Sequence, residues 1–523
     1  MPLNPPSITR SLPHNANKVV ASRDAKIAIL RETTLGERIA EEERDELARY
    51  FVQTDYWRKI FAGKADIVYG NKGTGKSAIY LLILAHEDGL FDRGILLISG
   101  ENVRGTPVFH ELVTDPPAGE TEFINLWKLY LLSLLGQKIR EYGLSNDDAV
   151  RVQDWLESLG LIDRNISLTG LLKVALDYVR RVMRLESMQA IEGGISFDPN
   201  TGVPIGATGK IIFREPSLER RKQGVVSADE ALQRANSAFR QAGFTIWILL
   251  DRLDVAFAET AELEKNALRA LFRVYRDFGD LDSVRLKIFL RSDIWKKVTE
   301  EGFRESSHIT SSVILEWDPD SLLNLLIRRL INNQTICDSY EIDREQVMQS
   351  IELQRSLFYR LFPDQVDLGQ RKPQSFDWLL SRTADGTGRS APRELIHLVS
   401  CIRDVQLQRY ERGEAGASGE LLFERAAFKE ALPQVSRARL EQTLFAEYPE
   451  FRERLLMLKD KKTEHDIRSL SQIWDVSEEE ASTVASKLVE IGFFERRTEA
   501  TSPSFWVPFL YRDALEMVQG KAE

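Results

Sequence analysis

Asp66-Ile67-Val68-Tyr69-Gly70-Asn71-Lys72-Gly73-Thr74-Gly75-Lys76-Ser77 is the stretch on which the reading of this chain turns. A short apolar strand stops at a glycine, and Gly70 to Ser77 then fits the pattern GxxxxGK[ST]. Glycines let the backbone curl so that consecutive N–H groups point inward at phosphate oxygens. Lys76 has the reach for β- and γ-phosphates, and the Ser77 hydroxyl suits Mg²⁺. The apolar stretch Ser77 to Ala85 reads as a buried helix whose positive end faces the same anion. Gly70, Asn71, Lys72, Gly73, Thr74, Gly75, Lys76 and Ser77 are therefore the candidate nucleotide-binding residues. The competing reading, a glycine-rich turn without nucleotide, leaves the strand before it and the helix after it without a purpose.

Outward from the loop, strands and helices alternate. Gly94 to Ile98 and Phe244 to Leu250 read as buried strands, Val284 to Leu290 as another, and Ser312 to Trp317 as a fifth. Ala267 to Phe278 reads as an amphipathic helix stopped by Gly279. Asp318-Pro319 opens a helix, with Asp as N-cap and Pro in the first helical position. This order predicts an α/β core with a mainly parallel sheet. Before it, residues 1–22 are rich in Pro, Asn and Ser and read as a loose tail, and Glu37 to Phe61 has a helical pattern. A long insertion, about 101–243, has helical patterns over Phe123–Ile139, Leu171–Leu185 and Val226–Ala242, and a hairpin turn at Asp198–Gly202. The expected domains are a tail and helix (1–64), a phosphate-loop core with that insertion (65–318), a helical lid (319–436) and a small C-terminal domain (437–523).

Composition narrows the class. The chain has 523 residues, 43% apolar and 29% charged, in the range of folded globular proteins. It carries 70 Lys and Arg against 80 Asp and Glu, which excludes a basic nucleic-acid coat protein. Two cysteines, Cys337 and Cys401, fit a reducing cytosol and exclude a cysteine-based zinc cluster. The six histidines lie scattered, without metal-ligand spacing. The longest clean apolar run, Ala78 to Ala85, is far too short to span a membrane, and the start lacks a signal-peptide pattern. The expectation is a cytoplasmic protein with no membrane partner.

Chemistry beyond the loop concentrates at strand ends. Ile246-Trp247-Ile248-Leu249-Leu250-Asp251 ends in a carboxylate suited to hold Mg²⁺ beside a phosphate loop; a helix cap or surface Asp is the bland alternative. Asp254, three residues on, is the candidate to polarise an attacking water, or else a salt-bridge partner. Arg291 follows the strand Leu286–Leu290, at the sheet edge where ligands bind in open α/β folds. It is a candidate γ-phosphate contact and catalytic group, or a bridge to Asp251 or Asp254. In Thr387-Gly388-Arg389-Ser390-Ala391-Pro392-Arg393, Pro392 opens a helix and sets Arg393 in its first turn. A cation there opposes the helix dipole, so local stability does not explain it, whereas a phosphate or an ion pair across domains does.

This ordered set resembles the STAND and AAA+ P-loop ATPases, near the origin-recognition-like branch. The loop Lys72–Ser77 and the Asp251-Arg252-Leu253-Asp254 variant look closest to a bacterial family, the FunZ-like P-loop ATPases. The resemblance covers about 40–523. It implies a five-stranded parallel sheet with the phosphate-loop strand central, ATP and Mg²⁺ as cofactors, and nucleotide-driven switching or assembly, often in phage defence or stress signalling. Arg252 stands where many relatives carry a glutamate, which implies slow hydrolysis.

The C-terminal segment reads as a winged helix. Ile467, Leu470 and Ile473 share one helix face, Ser477 with Glu480 forms a capping box for a second helix carrying Val484 and Leu488, and two strands follow. Residues 437–523 hold 13 basic and 17 acidic residues. The second helix opens with Glu478-Glu479-Glu480, which repels phosphate, so protein contact or self-packing is favoured over DNA; Arg496-Arg497 and Arg437 with Arg439 keep nucleic acid as the alternative. The sequence thus points to an ATP-binding, slowly hydrolysing switch with a separate effector protein and homo-oligomerisation. The rivals are a DNA-loading ATPase and a nucleotide-bound scaffold that does not turn over.

Overall fold

A computed structural model of the chain describes residues 22–37, 39–44, 46–100, 119–162, 174–175, 177–180, 182–183, 211–213, 216, 221–222, 224–253, 261–299, 302–498 and 503–522. Residues 1–21 of the loose tail, the Asp198–Gly202 turn and Asp254 lie outside them. Contacts divide the chain into two units. One comprises residues 55–71 and 76–315. The other comprises residues 316–523, the N-terminal segment to Thr54 and the four loop residues 72–75.

The first unit is built on five parallel strands: β1 (Ile67–Gly70), β2 (Ile95–Ser99), β3 (Thr245–Leu250), β4 (Val284–Arg291) and β5 (Ser312–Ile314), in the order β2-β3-β4-β1-β5. The α/β parallel core is as expected. The strand that carries the loop is not central, however. It lies between β4 and β5, and β4 separates it from the Asp251 strand, because β4 pairs with both β3 and β1. Alternation explains how such apolar strands bury both faces. Ile67, Tyr69, Ile246, Ile248, Leu250, Leu286, Ile288 and Leu290 share one core with the helices Glu120–Glu141, Ala228–Gln241 and Ala261–Phe278. Residues of opposite parity face the loop helix Lys76–Ala85, where Tyr80 meets Phe289 edge-on at 5.8 Å.

The described part of the insertion is core, not appendage. The Trp127 indole N–H donates to the Ala267 carbonyl (2.9 Å) and the Tyr130 hydroxyl to the Gly100 carbonyl (2.6 Å). The helix Asp147–Ser158, capped by Asn146, is a further helix of the insertion. Val226–Ser227 is a short strand paired with Ile211–Ile212 rather than helix, since Ser227 caps the helix that begins at Ala228.

The second unit is mostly helical. Asp318 caps the helix Pro319–Ile331 through the Ser321 N–H, as expected. Glu37 to Phe61, by contrast, is not one helix. It breaks into Leu47–Tyr50 and Asp55–Phe61 because tertiary partners outbid local periodicity. Glu43 is drawn into a bidentate pair with the buried Arg329 (2.7 and 2.8 Å). The winged helix has the two expected helices, Ile467–Trp474 and Glu478–Glu490, and the hairpin Glu495–Thr498 with Pro503–Trp506. Two further strands, Lys462–His465 and Val518–Lys521, complete a four-stranded sheet. Among the described residues, no helix is long and apolar enough to cross a membrane.

Candidate functional site

The loop has the backbone its glycines predict. Gly73 (φ 83°) and Gly75 (φ 94°) hold left-handed conformations that other residues adopt only with strain, and so re-aim the intervening peptides. Lys76 folds its ammonium over the loop and donates to the carbonyls of Gly70 (2.8 Å) and Asn71 (3.1 Å). That arrangement holds a cation where anionic oxygens would enter. Ser77 Oγ donates to Asp251 Oδ2 at 2.8 Å. Residues 174 positions apart in sequence thus meet, with Asp251 only 5% exposed. A hydroxyl and a buried carboxylate at the mouth of the loop form a hard oxygen donor pair, the type Mg²⁺ prefers.

Register places the next candidate. Gly70 pairs with Arg291 across β1 and β4, so Arg291 stands beside the first residue of the loop. Its guanidinium is held bidentate by Asp293 (3.0 and 2.8 Å). Arg393 is the second residue of the helix Pro392–Glu411. Its Cβ lies 3.1 Å from where a Cβ on Gly73 would stand.

Four features had no signal in the sequence. Arg252, directly after Asp251, is a non-glycine residue at φ 56°, a conformation that costs about 1–2 kcal/mol and clusters at functional sites. The Trp317 indole N–H donates to the Thr74 carbonyl at 2.9 Å. Lys72 forms an ion pair with Glu447. Glu394 is 5% exposed and lies with Oε2 3.2 Å from the same hypothetical Gly73 Cβ. The last three join residues far apart in sequence, so no local pattern announces them. Among the described residues no cluster of His, Cys, Asp and Glu could hold a metal by itself.

Comparison with known proteins adds a general likeness. No protein-family model matches the chain, and no curated protein matches it. A solved Walker-type ATPase of Pyrococcus abyssi is similar at 12% identity and a TM-score of 0.38, over 89% of this chain and 96% of that one. The Aeropyrum pernix ORC2 protein is similar at 11% identity and a TM-score of 0.29. Its ADPNP–ADP form covers 92% of this chain and 93% of its own, and its ADP form 94% and 95%. At these values the chain's own geometry carries the functional reading.

Proposed function

We propose that this chain is an ATP-binding switch of the P-loop ATPase type that hydrolyses nucleotide slowly. The observation that carries the reading is the meeting of Ser77 with Asp251 at the mouth of a loop whose lysine already points inward. ATP would supply a phosphoanhydride and Mg²⁺ a Lewis acid. The protein's part is to bind and position. Lys76 and the loop N–H groups would cradle the phosphates, Ser77 and Asp251 would hold the metal, and Arg291 and Arg393 would read the γ-phosphate. Asp254 orients the attacking water. Without a glutamate beside Asp251, hydrolysis is slow, and the bound nucleotide serves as a signal. Conformational change or homo-oligomerisation would pass that signal to a separate effector, as in the phage-defence and stress roles of the families it resembles.

The winged helix bears on the choice between a protein partner and DNA. The exposed side of Glu478–Glu490 carries Glu478, Glu479, Glu480 and Glu490. In the wing, Arg497 donates to Glu495 (2.9 Å) and stacks on Trp506 (4.0 Å). These observations support protein contact over DNA. Steady-state ATP hydrolysis by wild type and Lys76→Ala, each with and without duplex DNA, tests the proposal. Turnover that Lys76→Ala abolishes and DNA leaves unchanged is expected. Strong DNA stimulation would replace it with the loader reading. Binding without any turnover would replace it with the scaffold reading.

A further inference from the structure

Glu394 is a buried carboxylate with half of its hydrogen-bonding capacity unused. It is the third residue of a helix whose N-cap, Ala391, has no side chain to cap with. A glutamate there ordinarily turns back to the free N–H groups of the first turn. Glu394 does not. Oε1 accepts from Arg439 Nη1 at 2.8 Å, and Oε2 is buried without a hydrogen-bond partner among the described residues. An orphaned carboxylate oxygen is costly, and it calls for an explanation. Its position supplies one, because it lies against Gly73, at the tip of the phosphate loop.

The other half of the pair comes from the winged-helix side. Arg439 ends the helix Arg425–Arg439, immediately before a π-helical turn, Leu440–Leu444, that leads into the C-terminal domain. Burial opposes its charge, but Tyr511, Glu394 and Asp385 around it more than offset that, and its pKa lies above the ordinary arginine value. Arg439 Nε faces the Tyr511 hydroxyl at 3.5 Å, and Tyr511 belongs to the winged-helix core. Asp385 touches the position a Cβ would take on Gly492, just ahead of the wing.

We propose that Glu394 is an electrostatic brake on nucleotide retention, and that Arg439, set by the docking of the winged helix, decides how hard it acts. A bare carboxylate beside an anion-binding loop opposes phosphate; the same carboxylate neutralised by Arg439 does not. A rearrangement that carried Arg439 away would expose that charge and speed nucleotide release. This gives the switch a physical link between its C-terminal domain and its nucleotide, and it rests on the nucleotide-binding reading above. Glu394 is a positioning residue here and takes no part in bond cleavage.

The test is the dissociation rate of N-methylanthraniloyl-ADP from the full chain, measured by displacement with excess ADP. Arg439→Gln should release it about fivefold faster and Glu394→Gln about fivefold slower, the order expected for one unit charge about 4 Å away when it is screened as in bulk water. The double variant should return to within about twofold of wild type. A purely structural pair behaves otherwise, since breaking it from either side damages the same packing and moves both rates in one direction. Two rates moving together, or neither moving, would overturn the proposal. Should Arg439→Gln fail to fold, slower release from Glu394→Gln is still required. Failure of the underlying reading is distinct: wild type and Lys76→Ala would then show the same absence of saturable binding.

Discussion

Lys287 shows most directly what one residue can demand of its surroundings. It lies in β4, 1% exposed, and its ammonium donates to Asp66 Oδ1 (2.7 Å) and the Ala65 carbonyl (2.6 Å), with the Trp247 ring 4.5 Å away. Burial pulls its pKa down from the ordinary lysine value, and Asp66 only partly restores it. Asp66→Asn removes the counter-charge and should cost about 3–5 kcal/mol at pH 7, read from urea unfolding. With a folded pKa below the unfolded one, the penalty is complete below the folded pKa. It declines as pH rises towards the unfolded value, because the unfolded chain then holds the proton that the folded one has lost. The gap between wild type and Asp66→Asn should therefore narrow from pH 7 to pH 10; a constant gap would assign the cost to packing. At the loop, Lys76→Ala should abolish nucleotide binding while changing stability by under about 1 kcal/mol, since water can also satisfy the Gly70 and Asn71 carbonyls to which it donates.

Among the elements, close approach of backbone decides more than propensity. Gly73 combines φ 83° with neighbours 3.1–3.2 Å from any Cβ, so Gly73→Ala strains the loop and pushes on Arg393 and Glu394 together. Nucleotide affinity should fall at least about tenfold, with a stability loss of about 1–2 kcal/mol. Isothermal titration and thermal melting of the same variant would separate the two effects. Gly386 is a second such point. Its N–H donates to the Gly492 carbonyl at 2.6 Å, and a Cβ there would lie 2.3 Å from the Phe494 carbonyl oxygen. Gly386→Ala should therefore loosen the turn after the helix Ser375–Thr383 from the wing. Hydrogen exchange should rise across 384–390 and 492–498, and an unchanged exchange pattern would contradict that. A run of alternating cations and rings, Arg497–Trp506–Arg512–Phe509–Arg382–Trp378, joins the same two regions with separations of 3.8–4.8 Å. Burial with Arg382 and Arg497 pushes the Arg512 pKa down to about 10.

At the scale of the whole molecule, ligand binding and folding are one linked equilibrium. ADP with Mg²⁺ at a hundred times its Kd should stabilise the wild-type chain by about 2.7 kcal/mol, raising Tm, and should leave Lys76→Ala where it was. Local chemistry dictates the apolar strands that stop at Gly70, Asp251 and Arg291, the glycines of the loop, the Asp318 and Ser477 caps, and the helix opened by Pro392. Each is written within a few residues, as a period, a cap or a conformational requirement. Long-range packing sets β4 between the loop strand and the Asp251 strand, and brings Ser77 to Asp251 across 174 positions. It alone decided that Trp317, Glu447 and Glu394 reach the loop tip, and that the insertion helices belong to the core. Those outcomes depend on which distant surfaces bury one another, a choice made by the total apolar area removed from water and by the charges that must be satisfied inside it, and no short stretch of chain carries that information.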